Sequence, residues 1–320
     1  MSEQPVIEVA HLTRRYGNFI AVNDVSFEVA RGEIFGYLGA NGAGKTTTIR
    51  MLCALLEPSG GRATVAGLDV ASQPREVKRG IGYMSQRFSL YMDLTVEENL
   101  AFYAGAYGLR GARRQERIER SLEHAGLQDR RGMMTRNLPG GIRQRLALAS
   151  SLIHEPTIVF LDEPTAGVDP ASRRSFWRII RQLARSGTTV FVTTHHLDEA
   201  EYCNRVGLMV DGRLVALDTP VGLKRTYAPG TTLAVAARAG AMDAARVRSA
   251  LSGAEGVRDV QPFGNRTRVR IEGPLAEGSR LSSFLASHGL ADAVIEPAEA
   301  TLEDVFLAVV GANGKAGAKP

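Results

Sequence analysis

Cysteine is nearly absent. Cys53 and Cys203 are the two in 320 residues, too few for a disulfide framework, which excludes the small cross-linked secreted class and fits a reducing cytosol. Each reads as a small core residue rather than a reactive thiol. No run approaches the ~18 consecutive apolar residues of a membrane-spanning helix, so the chain is not expected to cross a bilayer by itself. The first residues, Met1-Ser2-Glu3-Gln4-Pro5, show no basic region followed by an apolar core, so no secretory signal is expected. A strong charge of one sign is also missing. The formal balance is +5, which permits contact with anionic lipid or nucleic acid but argues for neither. What remains is an ordinary globular composition, 44% hydrophobic and 23% charged, at a length that suggests about two domains.

The most informative stretch is Gly39-Ala40-Asn41-Gly42-Ala43-Gly44-Lys45-Thr46, which reads G-x-x-x-x-G-K-[ST]. An apolar run, Ile34–Leu38, precedes it, and Thr47-Thr48-Ile49-Arg50-Met51-Leu52 continues as a helix. That strand–loop–helix setting is what a phosphate-binding loop requires. The glycines let successive backbone N–H groups turn inward, and the helix start adds its positive end. Lys45 can reach β- and γ-phosphates, and the Thr46 hydroxyl can ligate Mg²⁺.

Upstream, residues 6–29 read as short antiparallel strands, with Tyr16 placed to stack on a base. Downstream, Ile81–Gln86 reads as a core strand ending in a polar amide, and Thr95–Glu98 as a capping box. A helical pattern rich in arginine runs from there to about Arg136. It reads as a solvated basic face, since no interleaved aromatics point to nucleic acid. Leu138-Pro139-Gly140-Gly141 opens a helix from Ile142 to His154, and the Gly-Gly pair is a second anion site. The apolar run Thr157–Leu161 suits a strand buried on both faces. It ends in Asp162-Glu163, costly there unless used: the first carboxylate suits Mg²⁺, the second an attacking water. Asp169-Pro170 reads as a helix cap, Thr188–Thr194 as another buried strand ending in His195-His196, and Asp211-Gly212 as a hairpin turn.

A boundary falls near Tyr227. The order beyond it is strand, helix, strand, strand, helix, strand, the ferredoxin-like pattern. A last helix over Thr301–Val310 and a Gly/Ala/Lys-rich tail, 311–320, expected to be disordered, complete the chain. The domains expected are therefore 1–226, 227–310 and the tail.

Residues 4–226 resemble the ATP-binding subunit of an ABC transporter. Six motifs stand in that family's order. The resemblance implies an α/β fold: an ABC-type P-loop ATPase core with antiparallel β and helical subdomains, followed here by the α+β domain. It implies that Tyr16 stacks on adenine and that Gly39, Ala40, Asn41, Gly42, Ala43, Gly44, Lys45, Thr46 and Thr47 hold the phosphates. It makes Gln86 the Q-loop residue, with Thr46 and Asp162, at Mg²⁺. Glu163 becomes the catalytic base and His195, rather than His196, the switch histidine. Gly140 and Gly141 stand in the signature, and Asp169 in the D-loop. The signature departs from its usual L-S-G-G-Q: Pro139 replaces the serine whose hydroxyl bonds the γ-phosphate, and Ile142 the glutamine. The anion site is expected to be weakened rather than abolished, since the Gly140 and Gly141 amides remain.

The segments Glu163–Pro170 and Thr193–Glu201 resemble the branch that exports drugs and polyketide antibiotics. That implies ATP and Mg²⁺ as cofactors and a homodimer in the ATP-bound state. It also implies separately encoded membrane permease subunits and a peripheral location on the cytoplasmic face of the inner membrane, with no nucleic-acid partner. The alternative is a soluble non-transport ATPase of the same family. Against one form of it, translation factors carry two cassettes in one chain, whereas one motif set is present here.

Overall fold

A computed structural model describes residues 4–86, 89–238 and 243–316. The chain divides into two compact units at Pro220/Val221.

The first unit opens with β1 (Ile7–Tyr16) and β2 (Phe19–Val29), an antiparallel pair. β3 (Ile34–Gly39) leads through the phosphate loop into α1 (Lys45–Leu52). β4 (Gly60–Val65) and β5 (Leu68–Asp69) extend the first sheet to the order β2-β1-β4-β5, two strands that the sequence reading missed. After α2 (Pro74–Gly80), β6 (Ile81–Met84) enters a second sheet. The stretch expected to be one helical pattern is two helices, α3 (Val96–Ala106) and α4 (Gly111–Ala125), followed by short 3-10 turns. Gly108 and Gly126 end them with positive φ, which a continuous helix does not accommodate. The expected capping box is present: Thr95 Oγ1 accepts from Glu98 N–H and the Glu98 carboxylate from Thr95 N–H.

α5 (Gly140–Leu152), β7 (Ile158–Asp162), α6 (Pro170–Arg185), β8 (Thr189–Thr194), α7 (Leu197–Ala200), β9 (Arg205–Val210) and β10 (Arg213–Asp218) complete this unit. The second sheet runs β10-β9-β3-β8-β7-β6, parallel except for β10. Strands β3, β7 and β8 are buried along their whole length, as expected for a sheet covered on both faces. Between the two sheets Phe27 stacks on Phe35 at 5.2 Å, beside Tyr37, Phe160 and Phe191. This cluster fixes the β1–β2 hairpin, and with it Tyr16, beside the phosphate loop.

The second unit begins within α8 (Pro220–Tyr227), whereas the sequence places the boundary at that helix's end. It holds β11 (Thr231–Ala237), α9 (Ala244–Ala250), β12 (Val257–Phe263), β13 (Arg266–Ile271), α10 (Gly278–Ser287) and β14 (Ala293–Ala298). The sheet order β12-β13-β11-β14, antiparallel throughout, is the ferredoxin-like arrangement. α11 (Leu302–Ala316) continues past the expected end at Val310. Part of the expected tail is therefore helix, anchored by buried Leu302, Val305 and Val309. Residues 317–320 lie outside the described residues.

Candidate functional site

Five parallel strands deliver their C-terminal ends to one edge, and the chemistry-bearing residues sit there. β3 ends in the phosphate loop, β7 in Asp162-Glu163 and β8, which lies between them, in Thr193-Thr194-His195. Gln86 follows β6. Ligand crevices in open α/β sheets form at this edge.

A cavity of about 400 Å³ opens over the loop. Tyr16, Asn41, Gly42, Gly44, Lys45, Thr46, Thr47, Gln86 and Glu163 line it, together with Phe19 and Ala21. At Gly44 the loop leaves no room for a side chain. Gly44 has φ +102°, and a Cβ there would stand 2.4 Å from the Ala21 carbonyl oxygen. Lys45 is buried, and its Nζ donates to the carbonyl oxygens of Gly39 at 2.8 Å and Ala40 at 3.1 Å. The same Nζ lies 3.2 Å from Glu163 Oε1.

Glu163 is where the strand-end residues converge. Its Oε2 accepts from Gln86 Nε2 at 3.2 Å and faces His195 Nδ1 at 3.1 Å. Its backbone is left-handed, φ 48°, a conformation that costs a non-glycine residue about 1–3 kcal/mol. Two bonds hold it there: Glu163 N–H donates to the Thr193 carbonyl oxygen at 3.1 Å and to its hydroxyl at 3.0 Å.

Asp162 is buried. Its Oδ1 accepts from Thr46 Oγ1 at 3.1 Å and Thr193 Oγ1 at 2.7 Å, while Oδ2 is buried with no hydrogen-bond partner. Desolvation raises its pKa, against the lowering effect of the two hydroxyls. A buried carboxylate oxygen without a partner, on a group that already meets the Thr46 hydroxyl, fits a hard divalent cation with oxygen ligands. No cluster of three or more His, Cys, Asp and Glu occurs among the described residues. A cation here would need further oxygens from a bound phosphate.

Some expected site residues lie outside this cavity. Gly140 and Gly141 form the first turn of α5, and Asp169 caps α6, accepting from Ala171 N–H and Ser172 N–H. These two helix starts meet each other: a Cβ on Gly141 would stand 2.6 Å from Ser172 Oγ. Pro139 precedes the first turn and provides no side-chain cap. His196 has no contact with Glu163 among the described interactions; its N–H donates to Thr194 Oγ1 at 3.0 Å.

Three contributors escaped the sequence reading. Phe19 is a second aromatic in the cavity wall, 63% exposed. Thr193 supports both carboxylates. Glu199 is fully buried and accepts from the hydroxyls of Thr165, just after Glu163, and Thr194, at 2.7 Å, with Arg173 Nε at 3.4 Å. It thereby ties the segment after β7 to the end of β8. The available signal was a run of polar residues, Thr193-Thr194, closing an otherwise apolar strand.

A glycine-rich loop with a buried lysine, beside a strand-end carboxylate pair, defines a P-loop nucleotide-binding protein. The ABC transporter family profile matches residues 22–166. The probable multidrug ABC transporter ATP-binding protein YbhF of Escherichia coli (strain K12) is 53% identical over 221 residues, 69% of this chain. The chain spans 38% of the length of that relative. The daunorubicin/doxorubicin resistance ATP-binding protein DrrA of Streptomyces peucetius is 38% identical over 315 residues, 97% of this chain and 94% of that one. Among solved structures, an ATP-binding subunit of an ABC transporter superposes with TM-score 0.63 at 31% identity, covering 70% of this chain and 94% of that one. A dimeric post-hydrolysis ATP-binding cassette bound to ADP and Pi gives 0.61 at 25% identity, covering 67% and 98%. The chain belongs to the ABC transporter ATP-binding family.

Proposed function

We propose that the chain binds and hydrolyses ATP as the motor subunit of an ABC exporter of drugs or other small hydrophobic compounds, with separately encoded membrane subunits. The observation that carries the hydrolytic reading is the convergence of Lys45, Gln86 and His195 on Glu163 at the mouth of the phosphate loop. Lys45 neutralises phosphate charge, and the loop amides orient the chain of phosphates. Glu163 accepts a proton from the attacking water. His195 and Gln86 hold that carboxylate in place and offer donors to the terminal phosphate. Tyr16 and Phe19 supply faces for the base. Thr46 and Asp162, with Gln86 beside them, are the residues that would hold Mg²⁺, which supplies charge neutralisation on the phosphate oxygens when bound.

Export is supported by the names of the drug-resistance relatives and by the wording of the segments after Glu163 and around His195. No described helix is long and apolar enough to cross a membrane; the separately encoded membrane subunits are part of the proposal. The proposed location is the cytoplasmic face of the inner membrane.

Lys45→Ala tests the nucleotide assignment. The lysine is the buried point charge of the loop, and no neighbour in the loop replaces it. ATP affinity, measured by calorimetry, is expected to fall at least ~100-fold, consistent with losing one or two charge-assisted hydrogen bonds. Affinity within a few-fold of the wild type overturns the assignment.

A further inference from the structure

A second cavity, of about 390 Å³, lies away from the nucleotide site, between the C-terminal halves of α4, α5 and α6. Its floor is aliphatic: Leu148, Leu152, Ile153, Ile179 and Leu183. Its rim is cationic. Arg117, Arg120 and Arg145 line it, with Glu155 as the one carboxylate in the lining.

The charges do not balance. Arg117 and Arg120 both pair with Glu155, the latter at 2.9 Å, and Arg120 also reaches Glu116 at 3.0 Å. Arg145 is held by a neutral group, the Ser175 hydroxyl, at 2.9 Å. The lining thus holds three guanidinium groups and one carboxylate, which two of them share. Desolvation, and then the like charges of Arg120 and Arg113, hold the Arg117 guanidinium below its usual pKa. Glu155 itself sits at φ 54°, so a strained residue delivers that carboxylate to the arginines.

We propose that this cavity binds a small dissolved amphiphilic anion, a carboxylate or sulfonate on a compact apolar body. The volume lies within the usual range of small-molecule sites, roughly 300–1,000 Å³. An apolar floor gains from covering by hydrocarbon. The guanidinium forks match the planar geometry of a carboxylate. The lining holds no Phe, Tyr or Trp, its one aromatic ring being the His124 imidazole, and a single glycine, Gly187, which disfavours a nucleotide. A cationic amphiphile of the same body meets the wrong sign of charge.

The test uses the full chain, with its nucleotide cavity filled by a non-hydrolysable ATP analogue and Mg²⁺, and decanoate as the probe in isothermal titration calorimetry. One decanoate per chain is expected, and decyltrimethylammonium is expected not to bind. The double change Arg120→Gln and Arg145→Gln should weaken decanoate about tenfold, the scale of one hydrogen bond to a charged group. Glu155→Gln removes the competing carboxylate and should tighten it several-fold, a gain that a poorly folded variant does not produce. Arg145→Lys keeps the charge and should retain most of the affinity. The proposal is overturned if decanoate does not bind, if the cation binds equally, or if Glu155→Gln leaves the affinity unchanged or weakens it.

Discussion

Glu163 receives a lysine, an amide and an imidazole while its backbone is held in a strained conformation by Thr193. Strain of this kind persists where the surroundings over-determine a residue, as at a reacting carboxylate. Glu163→Gln keeps the size and the hydrogen-bonding reach but removes the proton acceptor. Lys45, Thr46 and Asp162 are untouched, so ATP binding is expected to persist. Turnover should fall by ~10²-fold or more, the usual scale for losing acid–base catalysis. The two neighbouring histidines separate sharply in the structure. His195 stands 3.1 Å from the Glu163 carboxylate, while the His196 ring packs at a tilt against His195 and its backbone N–H donates to the Thr194 hydroxyl. His195→Ala should therefore slow phosphate release far more than His196→Ala. Equal losses at both positions, or wild-type turnover in Glu163→Gln, would show that the chemistry lies elsewhere.

Helix α5 is tied at its C-terminal end by a histidine that has no room for a charge. His154 Nε2–H donates to the Ile81 carbonyl oxygen at 3.0 Å, its ring stacks on Tyr107 at 3.6 Å, and its Nδ1 is buried without a partner. Burial lowers its pKa from 6.5 to about 4. The unfolded chain then binds more protons than the native one between those two values, so stability rises with pH across that window. It is fully present above about pH 6.5 and is lost as pH falls toward 4. His154→Gln keeps a donor for Ile81 and cannot titrate. Thermal melts at pH 4.5 and 7 should differ less in this variant than in the wild type; an identical difference would remove His154 as the cause. The same elements show what a sequence exposes and what it hides. The phosphate loop, the apolar strands β7 and β8, the capping box before α3 and the ferredoxin-like order were legible, because each rests on local spacing. Strands β4 and β5 were not, since Gly60, Gly61 and Arg62 dilute the alternation of β4 and β5 is two residues long. Glu199 and Thr193 were equally hidden. Their work depends on β7, β8 and α7 meeting in space, and neither spacing nor propensity encodes that.

At the scale of the whole molecule, the nucleotide residues fall into two sets. Tyr16, the loop, Gln86 and Glu163 share one cavity, whereas Gly140, Gly141 and Asp169 sit at two helix starts outside it. A helix start with glycines and no side-chain cap leaves amide donors for an anion. We propose that this anion is the γ-phosphate held by a second copy, as the resemblance of the signature implies, so that ATP joins two chains and neither completes a site alone. Pro139 bears on the strength of this dimer. A serine there adds one hydroxyl to a charged acceptor, about 1.5–3 kcal/mol, or roughly tenfold to a hundredfold at each site. In the Glu163→Gln background, sedimentation velocity should show a monomer without nucleotide and a weak dimer with Mg-ATP. Adding Pro139→Ser should shift the dimer to at least ~10-fold lower protein concentration. Ile142 stands where the related signature has glutamine, so Ile142→Gln added to Pro139→Ser should strengthen the effect or leave it unchanged. An ATP-dependent dimer that is indifferent to Pro139→Ser would place the partner's phosphate away from α5. Absence of any mass increase with ATP in both backgrounds would overturn the ATP-bound homodimer that the resemblance implies.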